Sequence, residues 1–173
     1  MLLMSRDASE NQVRDIMQEK IVTIGAGDTL STVEDIMTLG RVRHMPVVRR
    51  GVLIGVVSER DLLRASLSTL MEFGMEERRA FLQVVEITCV MSAPAIVISP
   101  DATVEEAARV LAEKKIGCLP VLDDGVLVGM VTETDVLRYF AGAQLPRSVG
   151  APESVDAPES KPESSPESFQ TAR

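Results

Sequence analysis

Two short segments carry the side chains best suited to holding a charged, hydroxylated ligand. Gly55-Val56-Val57-Ser58-Glu59-Arg60-Asp61 and Gly129-Met130-Val131-Thr132-Glu133-Thr134-Asp135 each set a hydroxyl three residues ahead of an aspartate, after a glycine and two apolar residues. Where a strand ends and a helix starts, the hydroxyl and the free backbone N–H groups gather around an anion, helped by the helix dipole. A carboxylate in the same first turn accepts hydrogen bonds from sugar hydroxyls. The pattern therefore suits a phosphate on one side and a sugar diol on the other. Ser/Thr-x-x-Asp is also a helix-capping pattern that needs no ligand. One copy alone reads as a cap. Two copies at equivalent places, both with Asp where Glu would cap as readily, point toward a ligand.

The two segments belong to a duplication. A shift of 74 residues superimposes the halves: Pro46, Val47, Gly51, Val52, Leu53, Gly55, Val57, Glu59, Asp61, Leu63 and Arg64 all recur, as do Met17 and Thr29. Each unit opens on a β-branched run predicted to be a strand, Ile21 to Ile24 and Ala95 to Ile98. A helix follows, with N-caps expected at Thr29 and Thr103, the latter in capping-box form with Glu106. Leu30, Val33, Ile36 and Met37 share one helical face, as do Val104, Ala107, Ala108 and Leu111. Gly40 is placed to stop the first of these helices. Pro46-Val47-Val48 and Val52 to Val57 then form a hairpin, as do Pro120-Val121-Leu122 and Val126 to Val131. Asp124-Gly125 is a strong turn signal. The prolines are expected to open their strands, where a missing N–H is tolerated. A second helix begins after Ser58 and after Thr132.

The unit is β-α-β-β-α, an α+β fold, and a unit that small needs its copy for stability. The expected division is 10–65, a helical linker at 66–86, 87–141, and a disordered tail at 144–173. Within the linker, Leu67, Leu70 and Met71 keep helical spacing and Gly74 breaks it. The segment reads as a helical cover for the core or as a partner-facing surface. Pro-Glu-Ser recurs at Pro152, Pro158, Pro162 and Pro166, in a tail too poor in large apolar residues to order itself.

Composition limits the chemistry further. The 173 residues are 45% hydrophobic and 25% charged, which is globular, with a formal charge of −8 that repels nucleic acid and anionic membranes. Aromatic residues make up 3%, with no Trp, which argues against base-stacking platforms. No apolar run is long enough to span a bilayer, and no secretory signal pattern is seen. Cys89 and Cys118 are the only cysteines, so a reduced, cytoplasmic setting is expected. His44 is the only histidine. It forms no nucleophilic triad, since no Gly-x-Ser-x-Gly elbow accompanies it, and no cysteine pair has zinc spacing. Gly25-Ala26-Gly27 reads as a plain turn, and Glu76-Glu77 beside Arg78-Arg79 as a solvated helix face. No catalytic group is visible, and the chain is not expected to be an enzyme.

The repeat, its Pro-Val strands, its glycine-ended hairpins and its Gly-apolar-apolar-Ser/Thr-x-x-Asp segments together resemble a tandem pair of CBS domains (cystathionine β-synthase type), a Bateman module. The resemblance covers about residues 10 to 141. It implies two clefts that bind adenine nucleotides or S-adenosylmethionine as regulatory ligands, with Mg²⁺ accompanying the phosphates. It also implies a disc-shaped homodimer. By position, the first site takes Ile21, Val22 and Thr23 beside the base, Arg43, His44 and Met45 before Pro46, then Ser58, Arg60 and Asp61. The second takes Ala95, Ile96 and Val97, Cys118 and Leu119 before Pro120, then Thr132 and Asp135.

The copies differ where charge matters. Between residues 41 and 64, Arg41, Arg43, Arg49, Arg50, Arg60 and Arg64 face only Glu59 and Asp61; between 115 and 138, Lys115 and Arg138 face Asp123, Asp124, Glu133 and Asp135. A phosphate cluster therefore favours the first cleft. Arg49 and Arg50 read as solvated turn residues, and His44 as either phosphate-facing or an interior imidazole. The function expected is a sensor acting on an unidentified effector protein or through self-association. The competing reading is a ligand-free dimerisation or interaction scaffold, in which both aspartates only cap.

Overall fold

The computed structural model describes residues 11–73 and 75–143. The expected break at Gly74 and the Pro-Glu-Ser tail lie outside the described residues. The elements are α1 (Val13–Ile16), β1 (Ile24–Gly25), α2 (Leu30–Gly40), β2 (His44–Arg49), β3 (Val52–Ser58), α3 (Glu59–Phe73) and α4 (Met75–Val84). A 3₁₀ turn (Ile87–Cys89) leads to α5 (Val104–Lys114), β4 (Cys118–Asp123), β5 (Val126–Thr132) and α6 (Glu133–Phe140).

Each hairpin closes through two residues with positive φ, Arg50 (52°) and Gly51 (78°) in the first, Asp124 (45°) and Gly125 (83°) in the second. That is the twist two antiparallel strands need. β1 runs parallel to β2, pairing Ile24 with Val47. Its counterpart is a single parallel bridge, Ile98 to Val121. The predicted strands at 21–24 and 95–98 thus shrink to their last residues, because only these reach a partner strand.

Two other expectations need correction. The prolines stand third in their strands, after His44-Met45 and Cys118-Leu119. Pro46 lies opposite Val56, whose N–H and C=O instead bond to Ser92 at 3.0 and 2.8 Å. The ladder therefore asks nothing of the missing proline N–H. At the end of α2, the left-handed residue is Arg41 (φ 51°) and not Gly40. Lys115 (φ 54°) ends α5 in the same way. Both N-cap threonines accept as expected, from Thr32 N–H at 3.4 Å and Glu106 N–H at 3.0 Å.

The two repeats pack around a pseudo-two-fold axis, and they exchange their leading segments. One core joins Val13 and Ile16 to Val104, Ala107, Leu111, Leu119, Val121, Val131 and Val136. The other joins Leu82 and Ile87 to Leu30, Val33, Met37, Met45, Val47 and Val57. The leading segment of each repeat thus completes the other repeat's core. Backbone bonds mirror this across the 74-residue shift: Val13 N–H to Ala102 O at 2.8 Å, and Ile87 N–H to Asp28 O at 2.8 Å. A four-residue helix such as α1 has no stability of its own. It exists because burying Val13 and Ile16 contributes about 1.5–3 kcal/mol each.

The linker helix α4 packs on α2 and α3. Leu82 is buried, and Arg78 pairs with Glu34 at 2.8 Å.

Candidate functional site

The same device closes the first turn of α3 and α6. Asp61 Oδ2 accepts from the Ser58 N–H at 2.9 Å and the Ser58 hydroxyl at 2.6 Å, while Ser58 Oγ accepts from the Asp61 N–H at 3.2 Å. Asp135 Oδ2 accepts from the Thr132 N–H at 2.9 Å and hydroxyl at 2.6 Å, and Thr132 Oγ1 accepts from the Asp135 N–H at 3.3 Å. Both aspartates are therefore caps, as the ligand-free reading requires. Each commits one oxygen to its own main chain.

Their second oxygens differ. Asp135 Oδ1 accepts from Gln18 Nε2 at 3.3 Å and lies 4.0 Å from Arg138 Nη1; the residue is 3% exposed. Asp61 is half-buried, and its Oδ1 takes no hydrogen bond or ion pair among the described residues.

The residues preceding the prolines sit directly on these helix starts. Glu59 N–H donates to Arg43 O at 2.9 Å, and Glu133 N–H to Gly117 O at 3.1 Å. Here the repeats meet. Arg43 reaches across to the Thr134 hydroxyl at 3.4 Å. The His44 ring lies over Gly117, where a Cβ would come within 2.5 Å of Nε2. A glycine in the second repeat is thus what lets the first repeat carry an imidazole at the junction.

Burial pulls the His44 pKa below 6.5, Arg43 and Arg60 pull the same way, and Glu133 and Asp61 oppose them. His44 is half-buried, with charged groups of both signs around it. Cys118, its counterpart, is buried, and its pKa is pushed up to about 12 by burial, then by Asp61 and Glu133. It stays a thiol, an apolar wall and not a nucleophile.

The remaining candidates divide by exposure. Met45, Pro46, Leu119 and Pro120 are buried, and Met45 and Leu119 belong to the cores. Arg60 is exposed. Ile21, Val22 and Ala95 are half-buried, and Thr23 is exposed. Ile96 and Val97 stand out as apolar side chains 39% and 41% exposed. Arg49 and Arg50 are exposed turn residues, as expected.

Grouping by repeat set Ile21 to Thr23 beside Asp61. Gln18, just ahead of that run, reaches Asp135. The cause is the segment exchange: Gln18 pairs with Met130 on β5, and Ser92 with Val56 on β3. The exchange also explains the two glycines of the motif. A Cβ on Gly55 would meet Met91 Sδ and Ser92 O at 2.8 Å; on Gly129 it would meet Met17 Sδ at 2.8 Å and Gln18 O at 3.0 Å. Gln18 was missed by sequence reasoning. Its partner is 117 residues away, and its counterpart, Ser92, shares none of its reach.

The family model for the CBS domain matches residues 13–68 and 84–142. The chain belongs to the CBS-domain family. A CBS domain-containing protein of Dictyostelium discoideum is 32% identical over 127 residues, covering 72% of this chain and 88% of that protein. Some relatives are longer. The match covers 34% of an uncharacterized protein of Methanocaldococcus jannaschii. Among solved structures, CBSX2 in complex with AMP is 27% identical with a TM-score of 0.61, covering 76% of this chain and 96% of that one. The CBS domain pair of protein MJ0100, in complex with 5′-methylthioadenosine and S-adenosyl-L-methionine, is 25% identical with a TM-score of 0.64, covering 76% and 97%. The fold is that of a CBS pair. Among the described residues no cluster of His, Cys, Asp and Glu could hold a metal, and no helix is long and apolar enough to cross a membrane.

Proposed function

We propose that this CBS pair is a regulatory module for an adenosyl ligand, one of AMP, ADP, ATP or S-adenosylmethionine. It passes the change to an effector protein or to a second copy of itself in a homodimer. The observation that carries this reading is the free Oδ1 of Asp61. A cap needs one carboxylate oxygen. The other is left to accept from a ribose hydroxyl, and the cationic Arg60 is its neighbour in sequence. Arg43 and Arg60 then meet the phosphates, each charge-assisted contact being roughly twice as strong as a neutral one. Ile96 and Val97 are assigned to this site and not to the Asp135 one, because Ser92 just ahead of them bridges to Val56 on β3, and they offer apolar surface to the base. The complexes of CBSX2 and MJ0100 with adenosyl compounds support the ligand class.

In this reading the output is conformational. A ligand that touches both repeats shifts their packing by its differential affinity for the two arrangements. The interaction-scaffold reading has one observation on its side, since both aspartates complete their caps without a ligand. Thermal unfolding with a panel of AMP, ADP, ATP and S-adenosylmethionine, each with and without Mg²⁺, separates the two. At one hundred times the dissociation constant a ligand adds about 2.7 kcal/mol, and a clear rise in Tm is expected. A flat panel favours the scaffold.

A further inference from the structure

We infer that Gln18 fills the ribose position of the Asp135 cleft from within the chain, so that one nucleotide binds per chain, at Asp61. This rests on the proposed nucleotide-binding reading and decides its stoichiometry. A carboxylate has about four acceptor positions. Asp135 spends two on Thr132 and one on Gln18, Arg138 lies 4.0 Å from the same oxygen as Gln18, and the residue is 3% exposed. The one position left is too few for a sugar diol, it is buried beside a guanidinium, and the Gln18 amide donates where a ribose hydroxyl would.

At Asp61 the backbone frame is the same and the side chains differ. Gln18 N–H bonds to Met130 O at 2.8 Å and Met130 N–H to Gln18 O at 3.0 Å; Ser92 N–H bonds to Val56 O at 2.8 Å and Val56 N–H to Ser92 O at 3.0 Å. Ser92 thus stands where Gln18 stands, on a side chain too short to reach the carboxylate. Arg64, the counterpart of Arg138, makes no ion pair with Asp61 among the described residues. The difference between an occupied and an unoccupied carboxylate oxygen is therefore written in one pair of residues, Gln18 and Ser92.

Calorimetric titration of the full chain with AMP, ADP, ATP and S-adenosylmethionine tests this in four forms: wild type, Gln18→Ser, Ser92→Gln and Asp61→Asn. The wild type is expected to bind one ligand per chain, Gln18→Ser two, and Ser92→Gln at least tenfold more weakly. Asp61→Asn keeps its cap acceptor and is expected to weaken the wild-type site by about 10- to 100-fold, the worth of a charged hydrogen bond. Two ligands on the wild type, or one on a Gln18→Ser protein that unfolds at the wild-type temperature, overturns the inference and leaves the nucleotide reading standing. If neither the wild type nor Gln18→Ser takes up any of the four compounds, the nucleotide reading falls and the inference falls with it.

Discussion

His44 shows how much one side chain can carry at the junction of the repeats. Its pKa is depressed, chiefly by burial, so the folded protein holds fewer protons than the unfolded chain once pH drops below about 6.5, the unperturbed value. Stability from this residue is full above that pH and is lost as pH falls toward the folded value. The expected signature is a difference in unfolding free energy between wild type and His44→Gln that shrinks steadily from pH 7 to pH 5. A pH-independent difference would show that His44 titrates as it does in the open chain. At the same scale, Asp61 and Asp135 show that a motif has two jobs. One oxygen holds the helix, and whether the other is free depends on a residue outside the motif.

Among the elements, the β3 and β5 strands have the most demanding role, because each receives the backbone of the other repeat's leading segment. The motif glycines are required for this contact and not for turn geometry. A methyl group at Gly55 must displace Met91 and the Ser92 carbonyl, both 2.8 Å away. The thioether can swing aside but the backbone cannot without breaking the Val56–Ser92 bridge. Gly55→Ala is expected to destabilise by about 1–3 kcal/mol, the usual cost of overpacking. Gly27→Ala, with open space around its site and no positive φ, should change stability by less than about 0.5 kcal/mol. Urea denaturation of the two variants checks the contrast, and equal effects would refute the close-approach account. Helices α2 and α5 each start on a threonine cap and end at a left-handed residue just past the last turn. That this residue is Arg41 or Lys115 reflects their place in a tight exit, where Val42 and Ile116 N–H groups bond back to Met37 and Leu111 at 3.1 and 3.2 Å.

For the molecule as a whole, the exchange of leading segments makes the pair the unit of folding. Ile16 belongs to the leading segment of the first repeat in sequence yet is buried, 3% exposed, in the core of the second. Ile16→Ala is expected to cost about 2–5 kcal/mol, as buried Ile truncations do. Its effect on amide exchange should fall on α5 and α6 and spare β2 and α2. Ile87→Ala should do the reverse. Protection lost first in the repeat nearest in sequence would contradict the exchange. An exchanged core also gives a ligand at the junction a path to both units, since neither can shift without carrying the other's leading helix with it.

Much of this was legible in the residues. The duplication, the hairpin turns, the helix faces and caps, and the Ser/Thr-x-x-Asp junctions follow from local chemistry: positive φ at Asp-Gly, apolar spacing of three and four, a hydroxyl beside free N–H groups. Such signals act over a few residues, and the 74-residue repeat doubled each of them. Tertiary structure alone decided which leading segment serves which repeat. Identical backbones compete for the same strand edge, and only packing around the pseudo-two-fold axis settles the pairing. It also decided that Gln18 reaches Asp135 while Ser92 leaves Asp61 open, because a hydrogen bond across 117 residues has no local signature in the chain.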